Sequence, residues 1–157
     1  YTKNKVEMEK NLYSSKIFDI TTIVRFPFIF SFDDYTGRFQ KICDISKKVK
    51  KLNIKGKKFS MISKDFAVKC LKYLIYSKPV KIIDFSSKGC VNLNKILNTI
   101  NKKFKFSEKN KENYYTKEFP YTTKNDLCLN TKKVNFKENT LNAIMKESNL
   151  YFSKVYK

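Results

Sequence analysis

The sequence predicts a single compact domain of the α+β or small α/β class, with a short mixed sheet and about three or four helices. Two observations support this class. Short apolar runs that suit β-strands alternate with longer stretches whose apolar residues recur at helical spacing. The chain has 157 residues, 41% of them hydrophobic, which is enough to bury one core. A winged-helix arrangement is the competing architecture, because three helices followed by a returning strand at 103–106 would form its skeleton.

The first predicted strand covers residues 26–32, where every second residue is phenylalanine. Period-two spacing places all these rings on one side of a strand, and Pro27 favours an edge position. We interpret the rings as sheet core rather than as a stacking surface for unpaired bases, because large apolar side chains are usually buried and no RNP-type pattern is present. The sequence DDYTG (33–37) then predicts a turn. Further short strands are predicted over 58–62, 79–85 and 103–106.

Helices are predicted over 39–52, 64–77 and 91–103, and from about residue 139 onward. In the first of them the apolar residues share one side, and Lys47, Lys48 and Lys51 project from the other. Ser63 precedes the second helix and suits its N-cap. Because apolar residues nearly surround this second helix, it is predicted to be the most buried helix of the chain.

Four segments follow from this pattern. Residues 1–16 form a basic arm, residues 17–106 the α/β core, residues 107–126 a polar extended tract rich in lysine and tyrosine, and residues 127–157 a C-terminal strand and helix that pack on the core. The tract contains no aliphatic residue and is too long for an idle connection in a compact domain. We therefore expect its tyrosines to be exposed until a partner binds.

Positive charge dominates the composition. The sequence carries 34 basic and 14 acidic residues, a formal net charge of +20. Nearly all the basic residues are lysine, as an AT-rich coding sequence would produce, but such a bias does not explain the excess of lysine over glutamate. A compact chain with this imbalance repels itself unless a polyanion neutralises it. Nucleic acid, an anionic membrane surface or an acidic protein is therefore the expected kind of partner.

The segment KKVKKLNIKGKK (47–58) has seven lysines in twelve positions. An unbalanced basic stripe is typical of surfaces that bind the phosphates of a nucleic acid, and the alternative is a solvated polar face. Replacing the four helical lysines by Glu is expected to weaken RNA association with little change in thermal stability. The predicted RNA-binding residues are Lys47, Lys48, Lys50, Lys51, Lys55, Lys57, Lys58, Lys95, Asn98, Lys102, Lys103, Lys105, Tyr114 and Tyr115.

The sequence offers little for catalysis. It has no histidine, which excludes Ser-His and Cys-His mechanisms. The segment IIDFSSKG (82–89) has a single glycine and lacks the P-loop pattern, so an ordinary turn is preferred over a phosphate site. Asp33, Asp34 and Asp84 offer carboxylates for magnesium, but adjacent acids before YTG more often form turns. The four cysteines are widely spaced, which argues against a metal site and favours a reducing compartment.

These observations predict a non-catalytic RNA-binding protein of the translation apparatus, either a ribosomal protein or a ribosome-associated factor. The expected partners are RNA, ribosomal RNA first, and neighbouring proteins of a large assembly. No small-molecule substrate, cofactor, metal or membrane is expected. The alternatives are a winged-helix DNA-binding protein and a structural subunit of an organellar or lineage-specific complex. Scarce arginine and glutamine leave little for base readout, which favours RNA over DNA. The predicted location is the cytoplasmic ribosome, with an organellar ribosome as the alternative.

Overall fold

The computed structural model of the protein describes residues 2–52, 57–78, 80–106, 112–114, 126–129 and 137–155. Its helices are α1 (Thr2–Tyr13), α2 (Arg38–Lys48), α3 (Lys64–Ile75), α4 (Leu93–Phe104) and α5 (Thr140–Val155). Its strands are β1 (Ile23–Arg25), β2 (Phe28–Phe30), β3 (Val49–Leu52), β4 (Met61–Ser63), β5 (Ile82–Asp84) and β6 (Glu112–Tyr114). A short 3₁₀ helix, Lys16–Ile20, lies between α1 and β1.

The named strands pair in parallel. β1 lies beside β5, with Ile23 opposite Ile82, and β2 lies beside β4, with Phe28 opposite Met61. β3 lies parallel to β6. Parallel neighbours require a crossover connection, and α2 lies in the connection between β2 and β4.

Backbone hydrogen bonds extend this parallel arrangement beyond β5. The Ser87 N–H donates to the Met61 carbonyl at 2.9 Å, so the chain after β5 runs beside β4. Lys88 in turn lies parallel to Asn139, and the Thr140 N–H donates to the Lys88 carbonyl at 3.0 Å. The segments that end β2, β4 and β5 and the segment that precedes α5 therefore lie near one another at one edge.

Helices cover both faces of these strands. α2, α4 and α5 share one core cluster, which contains Phe39 and Ile144, and α3 packs in a second cluster with Ile83. Met61 belongs to the first cluster and Ile62 to the second, as the alternation of side chains along a strand requires, and both are fully buried. Burial on both faces is typical of parallel strands enclosed by helices.

The predicted α+β domain with a short mixed sheet is therefore wrong, and so is the winged-helix alternative. An α+β domain places its helices on one face or end of an antiparallel sheet, whereas these helices lie on both faces of parallel pairs. The predicted returning strand at 103–106 is also wrong. Residues through Phe104 belong to α4, and Lys105 ends that helix in the left-handed conformation, with φ 47°.

The phenylalanines of residues 26–32 do not share one side. Phe28 packs against the first core cluster and Phe30 belongs to it, whereas Phe26 packs against the second, where its ring stacks on that of Phe85 at 5.9 Å between centroids. The strand is interrupted at residues 26–27, between β1 and β2. Pro27 has no N–H for a ladder bond, and the interruption shifts which face the following side chains occupy.

The predicted helices form with different boundaries. α2 ends at Lys48, where β3 begins, so the predicted helix over 39–52 is too long. The Ser63 N-cap is confirmed, because its hydroxyl accepts a hydrogen bond from the Phe66 N–H at 3.2 Å. The predicted burial of α3 is wrong, because Leu71 is exposed and Ile75 is 74% exposed. None of the helices within the described residues is long and apolar enough to span a bilayer.

The structure describes the predicted arm and the predicted C-terminal helix, but little of the predicted polar tract. The predicted arm, residues 1–16, is largely the helix α1, and Glu9 on that helix forms an ion pair with Arg25. Most of the predicted tract, 107–126, lies outside the described residues. α5 packs on the core through Ile144 and Phe152. No observation tests whether these segments are separate units, so the domain division stays a prediction.

The cysteines divide into a bonded pair and two thiols. Cys90 and Cys128 form a disulfide with 5.8 Å between their Cα atoms, which the sequence pattern did not predict. Cys43 and Cys70 are free and fully buried, and they pack as small core residues. Desolvation raises the pKa of the Cys43 thiol to about 12 and that of the Cys70 thiol to about 11, so both stay protonated at neutral pH.

Candidate functional site

The carboxyl ends of the parallel strands bring polar side chains from distant parts of the chain to one edge. Ser31 follows β2, Ser63 ends β4 and Ser87 follows β5. Ligands of open parallel sheets bind in the crevice outside the carboxyl ends of the strands. This edge, with the turn after β2 and the start of α5, is therefore the candidate site.

Glu138 joins two of these serines. Its carboxylate accepts a hydrogen bond from the Ser63 hydroxyl at 2.7 Å and another from the Ser87 hydroxyl. The Ser63 N–H also donates to it, at 3.3 Å. Both serines are buried, so their hydroxyl protons are satisfied by this one carboxylate rather than by water.

Glu147 of α5 is hydrogen-bonded to the residues that follow β2. Its side chain lies on α5 and the residue is 3% exposed. The carboxylate accepts a hydrogen bond from the Phe32 N–H at 2.9 Å and from the Ser31 hydroxyl at 3.5 Å. A buried carboxylate requires such donors, and here the first residues after β2 provide them.

Asp33 and Lys64 form one of two exposed ion pairs at this edge, and the other joins Lys146 to Asp65 at 2.8 Å. The Lys64 ammonium donates to the Asp33 carboxylate at 2.6 Å, and the two side chains are 50% and 47% exposed. The hydrogen bond from Lys64, assisted by one from Ser31, lowers the pKa of Asp33, and the same carboxylate raises the pKa of Lys64. Both groups are therefore charged at neutral pH and reachable from solvent.

The turn between β2 and α2 is held by its own hydrogen bonds. The Gln40 amide donates to the carbonyls of Phe32 and Asp34 at 2.9 and 2.8 Å, and the Thr36 N–H donates to the Asp34 carboxylate at 3.0 Å. Gly37 adopts φ +67°, a conformation that favours glycine. The turn therefore presents Asp33 from a fixed backbone, and the predicted turn at 33–37 is confirmed.

The accessible groups of this edge are the carboxylates and ammonium groups of its two exposed ion pairs, which accept and donate hydrogen bonds respectively. The hydroxyls of Ser63 and Ser87 already donate to Glu138. Within the described residues, no group of three or more His, Cys, Asp or Glu side chains could hold a metal ion. A cavity of about 450 Å³ lies elsewhere, near the end of α3, and none of the residues named above for the candidate site lines it; its lining is Tyr73, Ser77, Lys78, Val80 and Ile83.

The structure places the predicted RNA-binding residues on several different elements. The Lys47 ammonium is buried and lies 5.0 Å from the centre of the Phe152 ring, and burial lowers the pKa of Lys47. Its predicted projection into solvent is wrong. The exposed members are Lys48, Lys57, Lys58, Lys95, Asn98, Lys102, Lys103 and Lys105. Lys50 and Lys51 lie in β3 and Tyr114 in β6, while Lys55 and Tyr115 lie outside the described residues.

Several of these lysines have a structural explanation. The last turns of α2 and α4 carry Lys47, Lys48, Lys102 and Lys103, and that of α5 carries Lys154. Positive charge is stabilised at the carbonyl end of a helix, by roughly 0.3–1 kcal/mol for each exposed lysine at low salt. The Lys154 ammonium lies 4.4 Å from the centre of the Phe32 ring, beside the candidate site. No observation tests whether these lysines bind phosphate.

Similarity to known proteins exists at the level of fold. No model of a known protein family matches the sequence, and no curated protein matches it. A dTDP-glucose 4,6-dehydratase from Bacillus anthracis in complex with NAD superposes with a TM-score of 0.65 at 8% identity, over 85% of this chain and 44% of that one. A UDP-glucuronic acid 4-epimerase from Bacillus cereus in complex with NAD gives 0.60 at 14% identity, over 87% and 45%. A UDP-glucose 4-epimerase from Thermotoga maritima with UDP-glucose gives 0.58 at 10% identity, over 87% and 47%.

The fold is Rossmann-like. Both the parallel strands with helices on each face and the superpositions support this assignment. The chain spans less than half the length of the structures it matches. The predicted non-catalytic RNA-binding protein of the ribosome is therefore wrong, as are its DNA-binding and structural-subunit alternatives. The similar structures are sugar-nucleotide dehydratases and epimerases, in complex with NAD in two cases. The predicted RNA partner and the predicted absence of a small-molecule substrate are wrong on the same finding.

The residues of this chain do not fit the pyrophosphate of NAD. A Rossmann fold holds it on a G-x-G-x-x-G turn at a helix N-terminus, and the three glycines here, at positions 37, 56 and 89, have no such spacing. The turn after β2 instead carries Asp33 and Asp34, and the Phe32 N–H is already bonded to Glu147. Negative side chains and occupied donors exclude a diphosphate from this turn.

Glu138 and Glu147 were missed by the sequence analysis. Glu147 does leave a signal, because it falls on the buried stripe of α5 with Thr140, Ala143, Ile144 and Ser148. A carboxylate within an apolar stripe needs a buried partner. Glu138 lies 75 residues from Ser63, its hydrogen-bond partner, and its local sequence carries no corresponding signal.

Proposed function

We propose that this chain is part of an enzyme that acts on a nucleotide-linked sugar. The observation that supports it is the Rossmann-like fold, which the chain shares over 85–89% of its length with a sugar-nucleotide dehydratase and three epimerases. In open sheets of this kind the ligand binds outside the carboxyl ends of the strands, where Asp33 and Lys64 lie half exposed.

The accessible groups at this edge suit the sugar better than the diphosphate. The Asp33 carboxylate accepts hydrogen bonds from hydroxyl groups, and the Lys64 ammonium donates to hydroxyl or carbonyl oxygens. A diphosphate at the same point would meet the charges of Asp33 and Asp34, and like charges at contact distance repel. We therefore assign the sugar to Asp33 and Lys64 and expect the diphosphate to lie away from them.

Ligand-observed NMR on the full-length protein tests this function. UDP-glucose, UDP-glucuronic acid and dTDP-glucose are the probes, and UDP alone reports contacts made without the sugar. We expect saturation transfer to the sugar protons of at least one probe. Absence of transfer to all three at millimolar concentration would refute the proposal.

A matched pair of variants tests the assignment to Asp33. Asp33→Asn removes a carboxylate at the candidate site. The control, Asp19→Asn, removes the carboxylate of another exposed ion pair. Its partner, Lys81, precedes β5, so this pair lies at the amino end of that strand, away from the candidate site. We expect Asp33→Asn to weaken sugar-nucleotide binding about tenfold, as the loss of one charged hydrogen bond does, and Asp19→Asn to have no effect. Unchanged binding by Asp33→Asn, or equal losses in both, contradicts the assignment.

A further inference from the structure

The Cys90–Cys128 disulfide is accessible from one side. Cys128 is exposed and Cys90 is half-buried. The 5.8 Å between their Cα atoms lies within the ordinary range for a disulfide. Cys43 and Cys70 are fully buried. The cysteines of this chain therefore divide into one reachable pair and two protected thiols.

Within the described residues, hydrogen bonds to 58–60 and to Ser86 hold the segment 126–129 beside the disulfide. The Leu127 N–H donates to the Lys58 carbonyl at 2.8 Å, and the Ser60 N–H donates to the Leu127 carbonyl at 3.0 Å. The Leu129 N–H donates to the Ser60 hydroxyl at 2.9 Å. Leu127 is 54% exposed, so the segment buries little apolar surface. A segment that buries little apolar surface opens at low free energy once its covalent restraint is removed, and the disulfide is that restraint here.

We propose that Cys90–Cys128 is a reversible redox site at which a dithiol releases the segment 126–129. A thiolate of the dithiol attacks the Cys128 Sγ, the disulfide bond breaks, and Cys90 leaves as a thiolate. The second thiolate of the dithiol then attacks the reagent sulfur that is bonded to Cys128 and releases Cys128 as a thiolate. The protein gains two electrons and, after protonation from solvent, two protons, while the dithiol becomes a disulfide. The Ser60 hydroxyl lies 4.0 Å from the Cys90 Sγ and is placed to stabilise the leaving thiolate.

Reduction would act beside the candidate site. The Leu129 carbonyl accepts a hydrogen bond from the Ser86 hydroxyl at 3.5 Å. The next residue, Ser87, donates its hydroxyl to Glu138. Release of the segment therefore removes a neighbour of the loop that follows β5. This redox site goes beyond the proposed function and is independent of it, since its argument uses neither Asp33 nor Lys64.

Alkylation of the native full-length protein tests which cysteines react. We expect no alkylation of these four cysteines by N-ethylmaleimide without reductant, alkylation of Cys90 and Cys128 alone after dithiothreitol, and alkylation of all four after denaturation. Peptide mass spectrometry assigns each site. Reaction of Cys90 or Cys128 without reductant, or their protection after it, would overturn the proposal, as would simultaneous exposure of Cys43.

Hydrogen exchange tests whether reduction releases the segment. We expect exchange of the Leu127 and Leu129 amides to accelerate about tenfold or more on reduction. The matched control is the Val91 N–H, which donates to the Phe59 carbonyl at 3.0 Å between two fully buried residues and should not change. Unchanged exchange at Leu127, or equal acceleration at Val91, overturns the release.

A double variant separates the disulfide from the reagent. With Cys90 and Cys128 both replaced by Ser, we expect fast exchange at Leu127 without reductant and no response to dithiothreitol. A response in the variant would mean that the reagent acts elsewhere and would overturn the assignment. If the double variant does not fold, the comparison of the natural protein with and without reductant decides alone.

Discussion

Replacing Glu147 by Leu tests whether α5 closes the carboxyl-end edge of the strands. Glu147 is 3% exposed and accepts hydrogen bonds from the Phe32 N–H at 2.9 Å and the Ser31 hydroxyl at 3.5 Å. Leucine has a similar volume and no acceptor. Loss of a charged acceptor and an unsatisfied N–H together destabilise by about 2–4 kcal/mol, and the apolar side chain recovers about 1 kcal/mol. The net decrease in the free energy of unfolding is therefore about 1–3 kcal/mol.

Urea unfolding followed by circular dichroism measures this change. Glu147→Gln keeps an acceptor of the same shape and should lose less than Glu147→Leu. The matched control is Glu7→Leu on the exposed surface of α1, which should stay within about 0.5 kcal/mol of the natural protein. A Glu147→Leu variant as stable as that control would refute the role assigned to Glu147.

Replacing Cys90 and Cys128 by Ser should lower the free energy of unfolding by up to about 4 kcal/mol, the chain-entropy value for the sequence separation of 38, and a change below about 1 kcal/mol in urea unfolding would contradict it. Thr140→Val removes a buried hydroxyl that donates to a backbone carbonyl at 2.7 Å; it should lower stability by about 1 kcal/mol, and an unchanged thermal midpoint would count against the bond. Lys64 lowers the pKa of Asp33 below 3.8, so the stabilisation from this pair is present above the unfolded-state pKa and is lost as pH falls through the lowered folded-state pKa. Asp33→Asn should remove that part of the acid dependence, which urea unfolding of both proteins at a series of pH values checks; equal acid dependence in the two would contradict it.

Local features of the fold could be read from the sequence where one residue or one stripe determines them. The buried side of α4 follows from Leu93, Ile96, Leu97 and Ile100 at helical spacing, as predicted. Ser63 caps α3 because its hydroxyl is one turn from an amide that needs an acceptor. Such patterns depend only on neighbours in sequence, and the structure contains both of these features.

The pairing of strands could not be read in the same way. β1 and β5 are separated by most of the core sequence, and each has three residues, too few to show whether one face or two are buried. Pro27 then shifts the face of the phenylalanines that follow it. Apolar residues around α3 indicated full burial, but Ile75 is exposed because only one side of that helix faces the strands.

The charge surplus was misread for a related reason. Composition counts lysines but does not locate them, and several lie in the last turns of helices, where the backbone carbonyls favour them. Lys47 is the clearest example, because its ammonium is buried over the Phe152 ring although the residue stands in a run of lysines. Phosphate binding was therefore inferred from charges that local structure partly explains.

Under the proposed function, two carboxylates limit the kind of ligand that this edge can hold. In a Rossmann fold the backbone N–H groups and hydroxyls after the strands are available to a phosphate. Here Glu147 occupies the Phe32 N–H, and Glu138 occupies the hydroxyls of Ser63 and Ser87. A carboxylate carried by the chain itself competes at high effective concentration, whereas a free diphosphate must lose its translational freedom to displace it. The half-exposed Asp33 and Lys64 remain reachable, and a neutral hydroxyl-bearing group meets them without charge repulsion.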